Sequence, residues 1–481
     1  MKSSYKKLAL LFPLALSLGA CESDFDKINT NPNNSEVAQP NLLLTQIIRS
    51  NVTRSWDVAA NMDGGLLIVQ HWAKIQYTNE DRYSFRPAAI QALWDGFYAG
   101  GLQDANVVIN QGKAANNASY QGVGLVMRSW QFSLLTDMFG DIPYSQALQA
   151  DKFVSPAYDS QQDVYKGLLA DLKTASDLLA SKQGSIQGDI LYNGDTEKWR
   201  RFANSLRLRL AMRIADADPA TARAVVAEIL GADNVFRSNN DNARLVFLDA
   251  TFPNDNPVYE TYKTRDDHRV SETLVTRLKA VNDPRLAVYA DRPVAGGDYK
   301  GVPNGLLAAD ATALGLEKTS LPGIAFRRET SPAVLMTYAE VLFFKAEAIE
   351  RKFITGVAAT EYNAAITASM NQHGITDGAA ITTYLAQADV AYNPASYKTS
   401  IGNQKWIALF GQGLEAWSEW RRLDAPTLTV ARRPVTAAAG KIPVRFIYPT
   451  QEQSINQASY SAAVARQGAD LLTTKLWWDK F

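Results

Sequence analysis

The chain has 481 residues, 46% of them hydrophobic and 20% charged, with 49 basic and 49 acidic side chains. That composition supports a large buried core, and the charge balance gives no net field to draw in nucleic acid, which excludes nucleic-acid binding as the leading function. Cys21 is the only cysteine, so an internal disulfide is excluded as well.

The N-terminus reads as an export leader. Lys2, Lys6 and Lys7 precede an apolar run from Leu8 to Ala20, too short to cross a hydrocarbon core of ~30 Å as a helix. The expectation is a signal peptide over residues 1–20, with Leu18-Gly19-Ala20-Cys21 matching a bacterial lipobox and Cys21 carrying the lipid that holds the protein at a membrane. Residues 21–40 are polar and Asn-rich around Asn31-Pro32-Asn33-Asn34. They bury too little apolar surface to order themselves, so a flexible lipidated tether is expected. A single helical domain with inserted binding loops is expected over residues 41–481.

Helical spacing of apolar residues then dominates. It predicts helices over Asn41 to Val52, Pro87 to Asn110, Tyr120 to Met138, Asp159 to Ala180, Thr196 to Ile214, Thr221 to Leu230 and Ser271 to Ala280. Gly140 and Pro143 end the third of these. Short strands are expected over Arg244 to Thr251 and Ile442 to Tyr448. Two later stripes are clear: Leu335, Tyr338, Leu342, Phe343, Ala346 and Ile349, and then Trp406, Leu409, Phe410, Gly413, Trp417 and Trp420. Large and small residues alternate along them, as in tetratricopeptide-like hairpins, so the fold is read as mainly α, a degenerate helical solenoid with long loops and a few short strands. Glu340 and Glu347, near Lys345 and Arg351, are expected to form ion pairs, as are Glu415, Glu419 and Arg422. The stretches Phe252 to Asp267 and Arg292 to Pro322 exceed plain connectors, and binding surfaces are expected there.

Catalytic signatures are few. His71, His268 and His373 lack zinc-site spacing, and no nucleophile elbow or phosphate loop appears, so no cofactor, metal or catalytic residue is assigned. Gly411-Gln412-Gly413-Leu414-Glu415-Ala416 imitates a dinucleotide fingerprint but lies in a helical pattern without a βαβ unit. A surface-anchored glycoside hydrolase stays as the alternative, because it needs only two carboxylates ~5 to 9.5 Å apart. For binding, two polar segments rich in aromatics are singled out. The first holds Trp72, Tyr77, Asn79, Asp81, Arg82 and Tyr83, whose rings suit the apolar face of a sugar while the polar groups bond its hydroxyls. The second holds Asn256, Tyr259, Tyr262, Arg265, Asp266 and Asp267, suited to hydroxyls, peptide carboxylates or a partner's rim. Trp94, Tyr98, Trp130, Trp199, Trp417 and Trp420 are read as core.

The chain also resembles a known family. The acidic cluster Glu22-Ser23-Asp24-Phe25-Asp26 after the lipobox is similar to the surface-export signal of Bacteroidetes lipoproteins. With Thr136 to Tyr144, Asn282-Asp283-Pro284-Arg285-Leu286, Leu335 to Leu342, Gln404 to Leu409, Glu415-Ala416-Trp417, Arg421-Arg422 and Ile442-Pro443-Val444-Arg445, the order of motifs resembles the SusD/RagB nutrient-binding lipoproteins, in their SusD-like branch. The resemblance implies a SusD-like α-α superhelix on the cell surface. It implies a lid over a SusC-like TonB-dependent outer-membrane barrel that captures an oligosaccharide or a peptide.

Overall fold

The computed structural model describes residues 38–249 and 251–481. The leader over 1–20, Cys21 and all of the tether except residues 38–40 lie outside the described residues.

Caps written in the sequence start most of the principal helices. Helix α1 spans Pro40–Trp56, α2 Pro87–Asp95, α3 Gln103–Ala114, α4 Ala118–Phe139, α5 Gln161–Ala180, α6 Thr196–Arg213 and α7 Pro219–Gly231. Asn117, Ser160, Asp195 and Asp218 each accept a backbone N–H in the first turn of the helix that follows, satisfying donors that otherwise have no partner. Further on come α8 Pro257–Tyr262, α9 Glu272–Ala280, α10 Tyr338–Glu350, α11 Ala358–Gln372, α12 Tyr397–Ala408 and α13 Gly413–Leu423. Successive helices pack as hairpins: α3 on α4, α4 on α5, α5 on α6, α10 on α11 and α12 on α13. Helix α4 is buried on nearly all sides and forms the centre of the N-terminal half. The fold is mainly helical with short strands, as the periodicity predicts.

The strands are minor and pair over long distances. Strand β1 (Trp72–Lys74) runs antiparallel to β5 (His268–Val270), β2 (Ile142–Pro143) to β3 (Tyr158–Asp159), and β4 (Ala243–Leu245) to β6 (Ala333–Met336). Several expectations are corrected here. The strand expected over Arg244 to Thr251 shortens to β4, and Ile442 to Tyr448 is irregular. There Val444 N–H donates to Leu472 O and Phe446 N–H to Met138 O, so its backbone is satisfied by two different segments and not by a ladder. Leu335 lies in β6, ahead of the helix it was read into. The run from Pro87 to Asn110 is α2, a π-helical stretch at Gly96–Leu102 and α3 in succession.

The second aromatic stripe crosses a turn between two helices. Gly411, at φ +87°, reverses the chain between α12 and α13. Gly413 meets a second π-helical segment, Val58–Gly65, backbone to backbone, and a Cβ on Gly65 would lie 2.3 Å from Gly413 C. The apparent dinucleotide fingerprint is therefore a hairpin turn and a close helix contact. Trp94, Trp130, Trp199 and Trp417 are buried, while Tyr98 and Trp420 are half-buried against the same core.

His71 follows this contact and is sealed in the core. Its Nε2 donates to Trp406 O at 2.9 Å, its ring lies against Trp406 and Phe410, and Nδ1 has no partner. Burial holds the imidazole down to about 3. The unfolded chain takes up a proton below pH ~6.5 while the folded one does not, so His71's contribution is full above pH ~6.5 and lost as pH falls toward 3. Thermal melts should show destabilisation of roughly 3 kcal/mol from this group by pH 4. His71→Gln, which keeps the donor and cannot charge, should flatten that part of the pH profile.

Candidate functional site

Pairing of β1 with β5 brings the two aromatic-polar segments together. Lys74 faces His268 across the ladder. Beyond β1 the chain turns at Tyr77, with φ +49°, and folds back through a 3₁₀ turn at Glu80–Arg82. Ahead of β5, α8 ends and residues 265–267 run in beside Tyr77. Arg265 then stacks on the Tyr77 ring, its guanidinium carbon 4.5 Å from the centroid. Between them opens a cleft of about 450 Å³, lined by Val58, Asp63, Lys74, Tyr77, Asn79, Glu80, Arg86, Thr261, Arg265, Asp267 and His268.

Its floor is a buried charge cluster. Lys74 Nζ lies 3.2 Å from both Asp63 Oδ1 and Glu80 Oε2 and 4.0 Å from Asp267 Oδ2. His268 Nε2 is 2.9 Å from Asp63 Oδ1, and Arg86 reaches Asp63 at 3.3 Å and Glu80 at 3.0 Å. Burial alone would raise the Asp63 carboxyl, but His268, by hydrogen bond and charge, and then Lys74 outweigh it and hold the group at about 2. Arg265 donates to Asp267 at 2.6 Å, which holds its pKa above the usual arginine value. The carboxylates are nearly sealed, whereas the Arg86 and Arg265 side chains are 57% and 49% exposed. The accessible face is thus one aromatic ring, two arginines, Asn79 and Thr261 over a neutralised floor. Such a surface stacks on a ring and donates to oxygen acceptors. Among the described residues, no group of three or more His, Cys, Asp or Glu side chains is placed to hold a metal ion.

The individual positions divide sharply. Tyr77, at 63% exposure, Asn79 and Arg265 line the cleft. Trp72 is 1% exposed, its ring against His268, so no face is left for a ligand. Asp81 is buried, accepting from Gly305 N–H at 2.8 Å and Asn304 Nδ2 at 2.7 Å, and ties down the loop after residue 300. Tyr83 is buried with its hydroxyl accepting from Ala431 N–H. Asn256 caps α8 from inside the core. For Trp72, Asp81, Tyr83 and Asn256, then, a ligand-contact role is replaced by a structural one, because each has its polar or apolar surface already covered by protein. Arg82 donates to Arg433 O at 2.7 Å. Tyr262 donates to His268 O and lies under Arg327. Tyr259 carries Lys263 over its ring, and Asp266 accepts both arms of Arg269; neither lines the cleft.

Asp63, Lys74, Glu80, Arg86, Thr261 and His268 were not singled out as ligand contacts by sequence. The available signal was Asp63, an acid inside the apolar run Met62 to Val69, since a carboxylate so placed must find a buried partner.

Removing one partner from a buried cluster strands the others, at roughly 3–5 kcal/mol. Lys74→Met should therefore lower stability by about that much in denaturant titration. Arg265→Ala, at the exposed rim, should cost about 1 kcal/mol or less.

Comparisons with known proteins agree with this architecture. A family model described as starch-binding, associating with outer membrane, matches residues 32–449. A protein described as chitin-binding is 29% identical, with a TM-score of 0.82 over 92% of this chain and 100% of that one. A chitin-binding SusD homolog from Flavobacterium johnsoniae is 26% identical, with a TM-score of 0.80 over 92% and 97%. A SusD homolog from Bacteroides fragilis is 28% identical, with a TM-score of 0.79 over 92% and 99%. No curated protein matches the chain. Helical hairpins, motif order and a match over most of the length lead to one conclusion: the chain belongs to the SusD-like family of proteins that associate with the outer membrane.

Proposed function

We propose that this protein is a non-enzymatic surface lipoprotein that captures a nutrient oligomer, a glycan before a peptide, in the Tyr77–Arg265 cleft. It then delivers the oligomer as the lid of a SusC-like TonB-dependent transporter. The observation that carries this reading is the convergence of Tyr77, Asn79 and Arg265 on one accessible cleft. Two similar structures, both of proteins described as chitin-binding, support a glycan. An aromatic face flanked by arginine donors fits a sugar ring and its oxygens. One open cleft with few contacts suits a Kd of about 1 μM to 1 mM, roughly 4 to 8 kcal/mol, weak enough for release into a transporter.

The hydrolase alternative asks for a carboxyl that keeps its proton near neutral pH. Asp63, with a pKa of about 2, has the opposite tuning, and its neighbours in the cleft are engaged in ion pairs. Within the cleft this favours binding over hydrolysis, and Asp57 and Asp81, which burial raises to about 6, are not among its lining residues. Anchoring rests on Cys21 in its lipobox context, and no helix among the described residues is long and apolar enough to cross a membrane.

Calorimetry against chito- and malto-oligosaccharides and a peptide pool tests the cleft. Tyr77→Ala combined with Arg265→Ala should weaken binding about ten-fold or more with little change in thermal midpoint. Unchanged affinity would remove the cleft from the reading, and release of shorter sugars by purified protein would replace it with hydrolysis. For the anchor, Cys21→Ala should move the protein from the membrane fraction to the soluble fraction, and retention with the membrane would refute lipid anchoring.

A further inference from the structure

The two arginines at the rim of the Tyr77–Arg265 cleft spend only part of their donors on its floor. Arg265 donates through Nε and Nη2 to Asp267 Oδ2, at 3.1 and 2.6 Å. Arg86 holds Nε 3.0 Å from Glu80 Oε1 and donates through Nη2 to Asp63 Oδ2 at 3.3 Å. In both, the edge formed by Nε and Nη2 grips the floor, and Nη1 is the corner opposite that edge. Neither Nη1 has a partner among the described residues, and the two side chains are 57% and 49% exposed. One frame braces both heads, because Asp63 and Asp267 meet on Lys74 Nζ, at 3.2 and 4.0 Å. The unpaired donors are therefore fixed in place before any ligand arrives.

The charges of the cleft are layered. Lys74, Arg86 and Arg265 balance Asp63, Glu80 and Asp267, yet the side chains of those three acids are only 5%, 9% and 5% exposed. An anion entering from solvent meets the guanidinium corners first, with the carboxylates one bond further down. Coulomb energy falls with distance, so the nearer cations set the sign that the anion feels. Acids close by are engaged elsewhere: Asp266 takes both arms of Arg269, Glu260 pairs with Lys263, and neither lines the cleft.

We infer that the cleft selects acidic oligosaccharides, seating a sugar carboxylate between Nη1 of Arg86 and Nη1 of Arg265. This rests on the glycan-capture reading of the same cleft and names the class of glycan. A carboxylate offers one oxygen to each arginine, and such charge-assisted bonds are roughly twice as strong as those a neutral hydroxyl accepts. A small free anion would leave Tyr77, 63% exposed, uncovered, whereas the ring that bears the carboxylate or its neighbour can lie on it. The volume of about 450 Å³ has room for more than an anion, since it falls within the ~300–1,000 Å³ of small-molecule sites. An acidic peptide is disfavoured because the outer edge of β1 is closed. Trp72 O accepts from Asn304 Nδ2 at 2.8 Å, and Lys74 N–H donates to Asp81 Oδ2 at 3.2 Å, so a peptide strand finds no backbone there to pair with.

The test is calorimetry on the full chain with oligogalacturonate, oligomannuronate and the methyl ester of each, since the ester keeps the sugar and removes the charge. At low salt at least one acid should bind about ten-fold more tightly than its ester. Raising NaCl from about 20 mM to 500 mM should shrink that ratio several-fold. Arg265→Gln and Arg86→Gln should each bring the ratio toward one. Because the ratio is taken within one variant, any loss of packing that weakens both ligands cancels. Arg265→Lys keeps the charge but has a single head, which Asp267 occupies, so it should not restore the preference. An ester that binds as tightly as its acid, a ratio insensitive to salt, or a ratio kept in both glutamine variants would each overturn the inference and leave the cleft reading standing. Silence from acids and esters beside a bound malto- or chito-oligosaccharide would do the same. Failure of the cleft reading looks different: binding that persists at full strength in the Tyr77→Ala, Arg265→Ala variant, or silence from neutral and acidic sugars alike, which overturns both.

Discussion

A continuous network of ion pairs runs through the interior and fixes how the helices sit against one another. Arg209 of α6 grips Glu340 of α10 through two bonds of 2.6 and 2.9 Å, and Arg213, one turn on, reaches Glu415 of α13 at 2.6 Å. Glu419 takes both Lys405 of α12 and Arg422 at 2.7 Å. Arg422 passes on to Glu347 of α10, which also holds Arg351, and Arg351 closes on Asp216. Burial would raise Glu347, but Arg422 and then Arg351 outweigh it and keep the carboxylate below its usual range. Charges this deep are tolerated only when every member is paired. Sliding α13 by one turn, about 5.4 Å, would strand Glu415 and Glu419, so the network admits one register.

That register is transmitted to the Tyr77–Arg265 cleft. With α13 fixed, Gly413 presses its backbone on Gly65, and Asn61 locks the contact by accepting from Gly413 N–H at 2.8 Å and donating to Gly411 O at 3.0 Å. The π-helical segment Val58–Gly65 is thereby pinned, and Asp63 projects into the cleft floor, where Lys74 and His268 meet it. A π-helical stretch inserts an extra residue per turn, and such insertions recur at functional sites. The exposed groups, Tyr77, Asn79, Arg86 and Arg265, stand on this frame and stay accessible because their neighbours do the bracing.

Local chemistry and long-range chemistry separate clearly in this chain. Caps and periodicity act within a few residues, so helices starting at Asp159, Thr196 and Thr221 could be read from spacing alone, and in the structure Ser160, Asp195 and Asp218 cap them within three residues of those starts. Thr337 is a partial case. Its side chain accepts from Glu340 N–H as a cap should, but the Glu340 carboxylate turns away to Arg209, 131 residues distant, and does not complete a capping box. The aromatic-polar segments around residues 77 and 265 were legible as surface-like, yet Trp72 and Tyr77 are five residues apart and lie on opposite sides of the cover. Whether an aromatic residue faces ligand or core depends on which distant strand pairs beside it, a relation that sequence spacing does not encode.

By itself the sequence determined the mainly helical class, the family resemblance, the candidate anchor at Cys21 and the two segments from which a binding surface would be drawn. It could do so because hydrophobic period, capping residues and short motifs are local in the chain. Tertiary structure alone decided that those two segments share one cleft and that Trp72, Asp81, Tyr83 and Asn256 brace it from within. It also turned the glycine pair at 411 and 413 into a hairpin and a close contact. The reason is physical: burial and charge pairing are settled between residues far apart in sequence, where β1 meets β5 and α13 meets the π-helical turn.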